Sequence, residues 1–331
     1  MFSKKLGVIF SSLLFSLLFV APVKAASLTL RFALITPESF PYMDGAKKFK
    51  ELVESRSSGD IKVLIFPGGQ LGNEREINEA ILEGSIQVGV GAGAMANLAP
   101  IYNLVELPFL IQGQKQMAAI ADGPIGKELA KRIEKQAGLH SLAWFSTGDS
   151  PLETVKQPVR TPADLSGVKM RVIETPVLVD AMKALGANPT PMPYTEVYTG
   201  LKQGVIEGAT LDVLSVESLK VYEVAKYMTD WQQITFLSEP RPVIMNSKFF
   251  NSLSAERQSL IRSSMQDAAT YERKVFADKM EAIRKKLLAE GVTITKVDTK
   301  AFVDKVRPVW NKYATKLDAQ DLLKQMINLR Q

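Results

Sequence analysis

Cysteine is absent from this sequence of 331 residues. Its absence excludes disulfide bonds, thiolate metal sites and thiol nucleophiles. It also excludes the lipid anchor of a bacterial lipoprotein, which is attached to a cysteine after the leader. Without disulfides the chain has to be held together by a large hydrophobic core, and its length is enough to form one in each of two domains.

Histidine is nearly absent as well, since His140 is the only one. A Ser-His-Asp arrangement therefore has a single possible base. His140 precedes an apolar strand, a position more typical of a structural residue than of a catalytic one. No cluster of histidine and carboxylate side chains indicates a metal site. The sequence predicts no catalytic residue, cofactor or metal, and hence a protein that is not an enzyme.

The sequence contains a partial match to the dinucleotide-binding fingerprint. Residues 89–94 (GVGAGA) follow a predicted strand, and Pro100 then interrupts the helix that the fingerprint requires. No acidic residue follows in a second strand about 20 residues further on. Glycine-rich backbone that faces a cleft is the simpler interpretation of this segment.

Long apolar runs are absent beyond the N-terminus. Residues 6–20 form an apolar run of 15 residues behind Lys4 and Lys5, and small residues precede the bond after Ala25. A membrane anchor is the alternative interpretation, but a spanning helix needs roughly 20 apolar residues. The pattern predicts a secretory signal peptide at residues 1–25 that is cleaved after Ala25, and an exported protein without a membrane anchor of its own.

Basic residues only slightly outnumber acidic ones once the leader is removed. Residues 1–25 carry three lysines and no acid, so 38 basic residues remain against 35 acidic ones and the net charge falls from +6 to +3. This balance suits a small organic anion as ligand. Basic residues interleaved with aromatic ones are absent, so no nucleic-acid partner is predicted.

What the sequence does contain is an alternation of strand and helix patterns, which is typical of an α/β fold with a largely parallel sheet. A polar stretch with prolines at 146–164 separates two such series, and we interpret it as a crossover between two lobes. The predicted strands are 28–34, 61–66, 86–90, 139–145 and 169–173, and the predicted helices are 43–53, 74–82, 125–136, 176–185 and 196–203.

An unusually long helix is predicted near the C-terminus. Ser254 is a good N-cap, Glu256 lies in the first turn, and neither proline nor glycine occurs before Gly291. At 1.5 Å per residue this helix is about 54 Å long, which exceeds the width of a small domain. We therefore expect it to run across both lobes.

Five segments together resemble the solute receptors of TRAP transporters, the DctP family. They occur in the order of that family over nearly the whole chain after the leader. The segments are QLGNERE (70–76), LPF (107–109), PADLSGVKMRV (162–172), ALGANPTPMPY (184–194) and YEVAKY (222–227).

The resemblance implies a two-lobed periplasmic-binding-protein fold with a ligand cleft between the lobes and a long inter-lobe helix. It implies lobe one at 26–148 plus 237–276 and lobe two at 149–236 plus 277–331. Such a receptor binds a small carboxylate in the periplasm and delivers it to the integral membrane subunits of a transporter driven by an ion gradient. The alternatives are an exported enzyme acting on the same acid and a receptor for an ATP-driven importer.

Candidate ligand-binding residues follow from the same segments. Arg171 ends a short apolar strand, and the resemblance implies that its planar guanidinium binds the ligand's carboxylate through two parallel hydrogen bonds. A surface arginine is the alternative. The resemblance also places Tyr194 against the ligand. Glu38 and Asn73 lie in a strand-end loop and near a helix start, where ligands sit in α/β lobes, but each could equally be a helix-start acid or a helix cap.

Two departures from the family pattern affect the expected ligand. Ser150 stands where many relatives have a second arginine, and the polar group that usually follows the glycine matching Gly208 is missing or displaced to Asp212. A second carboxylate in the cleft would then be poorly compensated. We therefore expect a monocarboxylate with additional polar or aromatic groups in preference to a C4-dicarboxylate.

Overall fold

The computed structural model describes residues 27–231 and 234–330, so the predicted signal peptide lies outside the described residues. The strands are β1 Leu28–Ala33, β2 Ile61–Phe66, β3 Val88–Val90, β4 Leu139–Ser146, β5 Leu152–Thr154, β6 Lys169–Val172, β7 Asn188–Pro191, β8 Gly208–Thr210, β9 Tyr227–Asp230, β10 Pro240–Asn246 and β11 Thr293–Lys296. They form two sheets, in the orders β2-β1-β3-β10-β4 and β11-β9-β5-β8-β6-β7.

Helices surround both sheets. They are α1 Pro41–Arg56, α2 Glu74–Glu83, α3 Met95–Leu98, α4 Gly113–Asp122, α5 Pro124–Ala137, α6 Pro176–Leu185, α7 Val197–Lys202, α8 Val213–Ser218, α9 Ser247–Ser252, α10 Ala255–Ala289, α11 Thr299–Lys316 and α12 Gln320–Asn328. The α/β class and the two-lobed architecture predicted from the sequence are confirmed. No helix within the described part of the chain is both long and apolar enough to cross a membrane.

The sheets are mixed rather than largely parallel. In the first sheet β1 is parallel to β2 and β3, whereas β10 is antiparallel to both β3 and β4. In the second sheet β6 is parallel to β7 and β8, and β5 is antiparallel to β8 and β9. In the first sheet the antiparallel strand β10 is the one with which the chain returns from the second sheet, whereas in the second sheet the antiparallel strand β5 is the first one that the chain enters.

The chain passes between the two sheets three times. It leaves the first sheet after Ser146 and returns from Asp230 to Pro240, and the third passage follows α10. The predicted crossover at 146–164 is too long, because Leu152–Thr154 already pairs with β8 as strand β5 of the second sheet.

The long helix α10 has 35 residues, about 52 Å at 1.5 Å per residue. The Ser254 hydroxyl accepts a hydrogen bond from Arg257 N at 3.3 Å, as the N-cap prediction requires. Phe276 packs in the core under the first sheet, whereas Leu287 packs in the core of the second. One helix therefore contributes side chains to both lobes, which confirms the prediction that it spans them.

The two C-terminal helices contact both lobes. Helix α11 packs on α6 and α12 packs on α5. Trp310 of α11 donates from Nε1 to the carbonyl oxygen of Pro108 at 2.9 Å. The residues predicted to belong to lobe two, 277–331, thus include a helix that packs on the first lobe.

Candidate ligand-binding site

A cavity lies between the two sheets and has an empty volume of about 640 Å³. Both lobes contribute to its walls. The lining residues are Ile35, Thr36, Phe40, Tyr42, Glu74, Val90, Ala92, Thr147, Ser150, Arg171, Ile173, Tyr194, Thr210, Leu211, Asp212, Ser215, Leu237, Glu239 and Arg241.

Arg171 lines this cavity from β6 and is only 2% exposed. Its Nε donates to the carbonyl oxygen of Met192 at 3.0 Å and its Nη1 donates to that of Thr210 at 3.2 Å. Burial lowers the pKa of Arg171 to about 10, against the opposing effect of the Glu74 carboxylate, so the guanidinium remains cationic at neutral pH. The two carbonyls orient the guanidinium without neutralising its charge.

Tyr194, Asp212 and Ser150 also line the cavity. Asp212 is the N-cap of α8, because its Oδ1 accepts from Ser215 N at 3.0 Å and its Oδ2 from Ser215 Oγ at 2.5 Å. The Tyr194 hydroxyl lies 3.4 Å from Ser218 Oγ. Burial raises the pKa of Asp212 and that of Tyr194. The structure thus brings four of the six predicted site residues together around one cavity.

Glu38 and Asn73, the other two predicted residues, do not line the cavity, which corrects the sequence-based placement. Glu38 lies in an exposed part of its loop. The Asn73 side chain is the N-cap of α2, where its Oδ1 accepts from Glu76 N at 3.1 Å, and Glu76 Oε2 accepts from Asn73 N at 2.8 Å. Glu74, the next residue, lines the cavity instead, and burial raises the pKa of its carboxyl group.

The sequence-based reasoning missed Arg241 and Glu239 altogether. Both are buried in the wall that β10 provides, and an ion pair joins Arg241 Nη2 to Glu239 Oε1. Burial alone lowers the pKa of Arg241, but the Glu239 carboxylate, together with Tyr102, Tyr42 and Glu74, more than offsets this and holds the pKa well above its usual value. The expectation that the cavity has no second arginine because of Ser150 is therefore wrong. The sequence signal that could have revealed Arg241 is the presence of an arginine within the apolar run 240–245.

Several polar atoms of the cavity wall are buried without a hydrogen-bond partner among the described residues. They are the hydroxyl oxygens of Thr36 and Thr210 and the Nε and Nη1 atoms of Arg241. Most buried polar atoms in proteins have partners, so a group of unpaired ones around a cavity calls for an explanation.

The two lobes meet at the glycine-rich segment 89–94. A Cβ atom added at Gly93 would lie 1.8 Å from Cγ2 of Ile173 and 2.7 Å from Cγ2 of Thr175, both on the second lobe. Nearby, Asn97 Nδ2 donates to the carbonyl oxygen of Glu174 at 3.3 Å. The structure therefore has a closed cleft, and the backbone at Gly93 approaches the opposite lobe more closely than any side chain would allow.

Residues 32–316 match the model of the DctP family, described as bacterial extracellular solute-binding protein, family 7. The chain belongs to this family. It is 35% identical over 281 residues to the 2,3-diketo-L-gulonate-binding periplasmic protein YiaO of Escherichia coli (strain K12), with 84% of each chain covered. The chain is therefore an extracytoplasmic solute receptor of the TRAP type, as its sequence motifs predicted.

Solved structures of TRAP periplasmic solute-binding proteins are similar throughout. The protein of Sulfitobacter sp. NAS-14.1 with bound β-D-galacturonate is 30% identical with a TM-score of 0.85, covering 91% of this chain and 99% of its own. The protein of Pseudomonas putida F1 with bound D-glucuronate is 33% identical with a TM-score of 0.85, covering 90% and 96%. The protein of Polaromonas sp. JS666 bound to D-erythronate is 27% identical with a TM-score of 0.86, covering 92% and 100%. The family and these neighbours are receptors for small organic acids.

Proposed function

We propose that this receptor binds a sugar acid with one carboxylate and several hydroxyl groups, and that it delivers this acid to the integral membrane subunits of a TRAP transporter. The observation that carries the proposal is the orientation of Arg171, a buried guanidinium without an ion-pair partner among the described residues, in a cavity rich in unpaired hydroxyl-binding atoms. The galacturonate, glucuronate and erythronate bound by the solved neighbours have the same combination of groups.

In this proposal the ligand's carboxylate binds to the remaining edge of the Arg171 guanidinium. A charge-assisted bond of this kind is stronger than a neutral one, and the planar donor matches a planar carboxylate. Phe40, Tyr42 and Tyr194 supply apolar and aromatic wall area for the carbon skeleton. Asp212 and Glu74 accept hydrogen bonds from hydroxyl groups.

A calorimetric panel on the purified protein tests the proposal. We expect uronates and aldonates to bind more tightly than succinate and malate, because a second carboxylate meets the cavity's own acids. A ligand at 100 times its dissociation constant should also raise the free energy of unfolding by about 2.7 kcal/mol. Tighter binding of succinate or malate than of every sugar acid would refute the proposal.

The proposed function also includes where the receptor acts and what it does to its ligand. We infer that cleavage after Ala25 releases the receptor into the periplasm, which the mass of the exported chain would test. We also infer that the protein returns its ligand unchanged, in contrast to an exported enzyme, and that its transporter uses an ion gradient rather than ATP. Chromatography of the ligand after long incubation distinguishes capture from catalysis.

A further inference from the structure

The two cavity arginines differ in how their charges are compensated. Among the described residues Arg171 bonds only to backbone carbonyl oxygens, so its positive charge has no paired carboxylate. Arg241 is paired with Glu239. The two arginines also belong to different sheets, since Arg171 lies on β6 and Arg241 on β10. Glu239 and Arg241 therefore form a neutral pair, whereas the Arg171 guanidinium has no carboxylate bonded to it, and the carboxyl groups of Glu74 and Asp212 line the same cavity.

The Glu239–Arg241 pair is held rigidly. Two hydrogen bonds with the Thr147 hydroxyl fix the backbone of Glu239, one from Glu239 N at 2.9 Å and one to the Glu239 carbonyl oxygen at 3.0 Å. The side chains of Glu239 and Arg241 line the same cavity from positions two residues apart, as neighbours on one face of a strand do. Arg241 Nε and Nη1 remain available as donors, and Glu239 Oε2, the oxygen outside the ion pair, can accept a hydrogen bond from the ligand.

A vicinal pair of hydroxyl groups fits this arrangement, because each hydroxyl can both donate and accept a hydrogen bond. A carboxylate fits it poorly. It can accept from Arg241, but it then lies next to the Glu239 carboxylate, and like charges brought together in a buried site cost several kcal/mol. The neutral pair therefore favours hydroxyl groups in two ways. Both residues form hydrogen bonds with hydroxyl groups, and the Glu239 carboxylate repels an anionic group.

We propose that Glu239 and Arg241 are specificity-determining residues that bind hydroxyl groups at the end of the ligand away from its carboxylate and exclude a second carboxylate there. The receptor accordingly selects uronates and aldonates over aldarates, the sugar acids with a carboxylate at both ends. This inference rests on the proposed function and adds which end of the sugar acid each arginine binds.

The test compares pairs of linear sugar acids that differ only at one end: D-galactonate with galactarate, and D-gluconate with D-glucarate. Calorimetry gives the ratio of the two dissociation constants for each variant. In the unmodified protein the monoacid should bind more tightly by about tenfold or more. Glu239→Gln removes the repulsive charge and frees Arg241, so the ratio should shift toward the diacid by a similar factor.

Two control variants accompany Glu239→Gln. Glu272→Gln changes another buried acid, whose Oε2 accepts from Ser146 N at 3.0 Å and which does not line the cavity. It should alter stability without changing the ratio. Glu239→Asp keeps the charge and should keep the preference for the monoacid. General damage to the protein affects both ligands alike, so a ratio measured within one variant is insensitive to it.

Each outcome decides the inference. An unchanged ratio in Glu239→Gln, with sugar monoacids still bound, overturns the role of Glu239 and leaves the proposed function standing. Equal or tighter binding of the diacid by the unmodified protein also overturns it, which keeps the inference testable if Glu239→Gln does not fold. Failure of the unmodified protein to bind any sugar acid overturns both the inference and the proposed function.

Discussion

Replacing Arg171 by lysine is expected to weaken ligand binding by about 2–5 kcal/mol, although the positive charge is kept. The Arg171 guanidinium uses Nε and Nη1 to bond to the carbonyl oxygens of Met192 and Thr210, and these bonds aim its remaining donors at the cavity. A lysine has one nitrogen and cannot satisfy two carbonyls while also binding a carboxylate in a bidentate manner. Calorimetry on both proteins, with the acid that binds best in the panel, measures the loss.

Arg132→Lys provides the matched control for this substitution. Arg132 also donates to backbone carbonyl oxygens, those of Leu317 and Asp318, but it lies outside the cavity. The control should therefore keep the affinity of the unmodified protein. If Arg171→Lys bound the acid as tightly as the control does, Arg171 would not be the carboxylate-binding residue.

Gly93→Ala is expected to raise the dissociation constant by an amount corresponding to about 1–3 kcal/mol, because the added methyl group prevents the lobes from closing. Its Cβ would lie 1.8 Å from Cγ2 of Ile173 on the opposite lobe. An open cleft does not make this contact, so the melting temperature of the ligand-free variant should change little. Calorimetry measures the affinity, and thermal unfolding without ligand measures the stability.

Gly84→Ala should behave in the opposite way. Gly84 ends α2 with φ of +85° and has no atom within 4 Å of an added Cβ. Alanine is strained in this conformation, so the variant should unfold at a lower temperature while keeping its affinity. Normal affinity in Gly93→Ala, or equal loss of stability in both variants, would show that the contact at Gly93 does not control closure.

Local patterns in the sequence were enough to predict parts of this structure. The cap at Ser254 and the uninterrupted run to Gly291 predicted α10 to within a few residues, because helix ends and helix breakers act over one or two turns. The burial of Arg171 was anticipated only through the family resemblance, because a short apolar strand by itself is equally compatible with a surface arginine at its end. For Asn73 a helix cap and a ligand-binding role were both open, and the capping-box pattern formed with Glu76 favours the cap.

The contribution of Arg241 to the cavity depends on contacts that no local pattern contains. Arg241 reaches the site because β10 returns from the second lobe and inserts between β3 and β4, about 95 residues after the chain first left that sheet. The expectation based on Ser150 considered one position in the chain, whereas an arginine from another strand can occupy the same cavity. The direction in which a side chain points is also absent from a local pattern, since Glu38 lies in a strand-end loop and is exposed to solvent.

We propose that this receptor closes around a sugar acid and holds it reversibly. Small-angle scattering of the mature protein, with and without the tightest-binding acid of the panel, tests it most directly. We predict a smaller radius of gyration at saturating ligand, return to the original value on dialysis, and recovery of the acid unchanged. A radius of gyration that stays the same at saturation would contradict closure of the lobes, and a product that accumulates with time would contradict reversible binding.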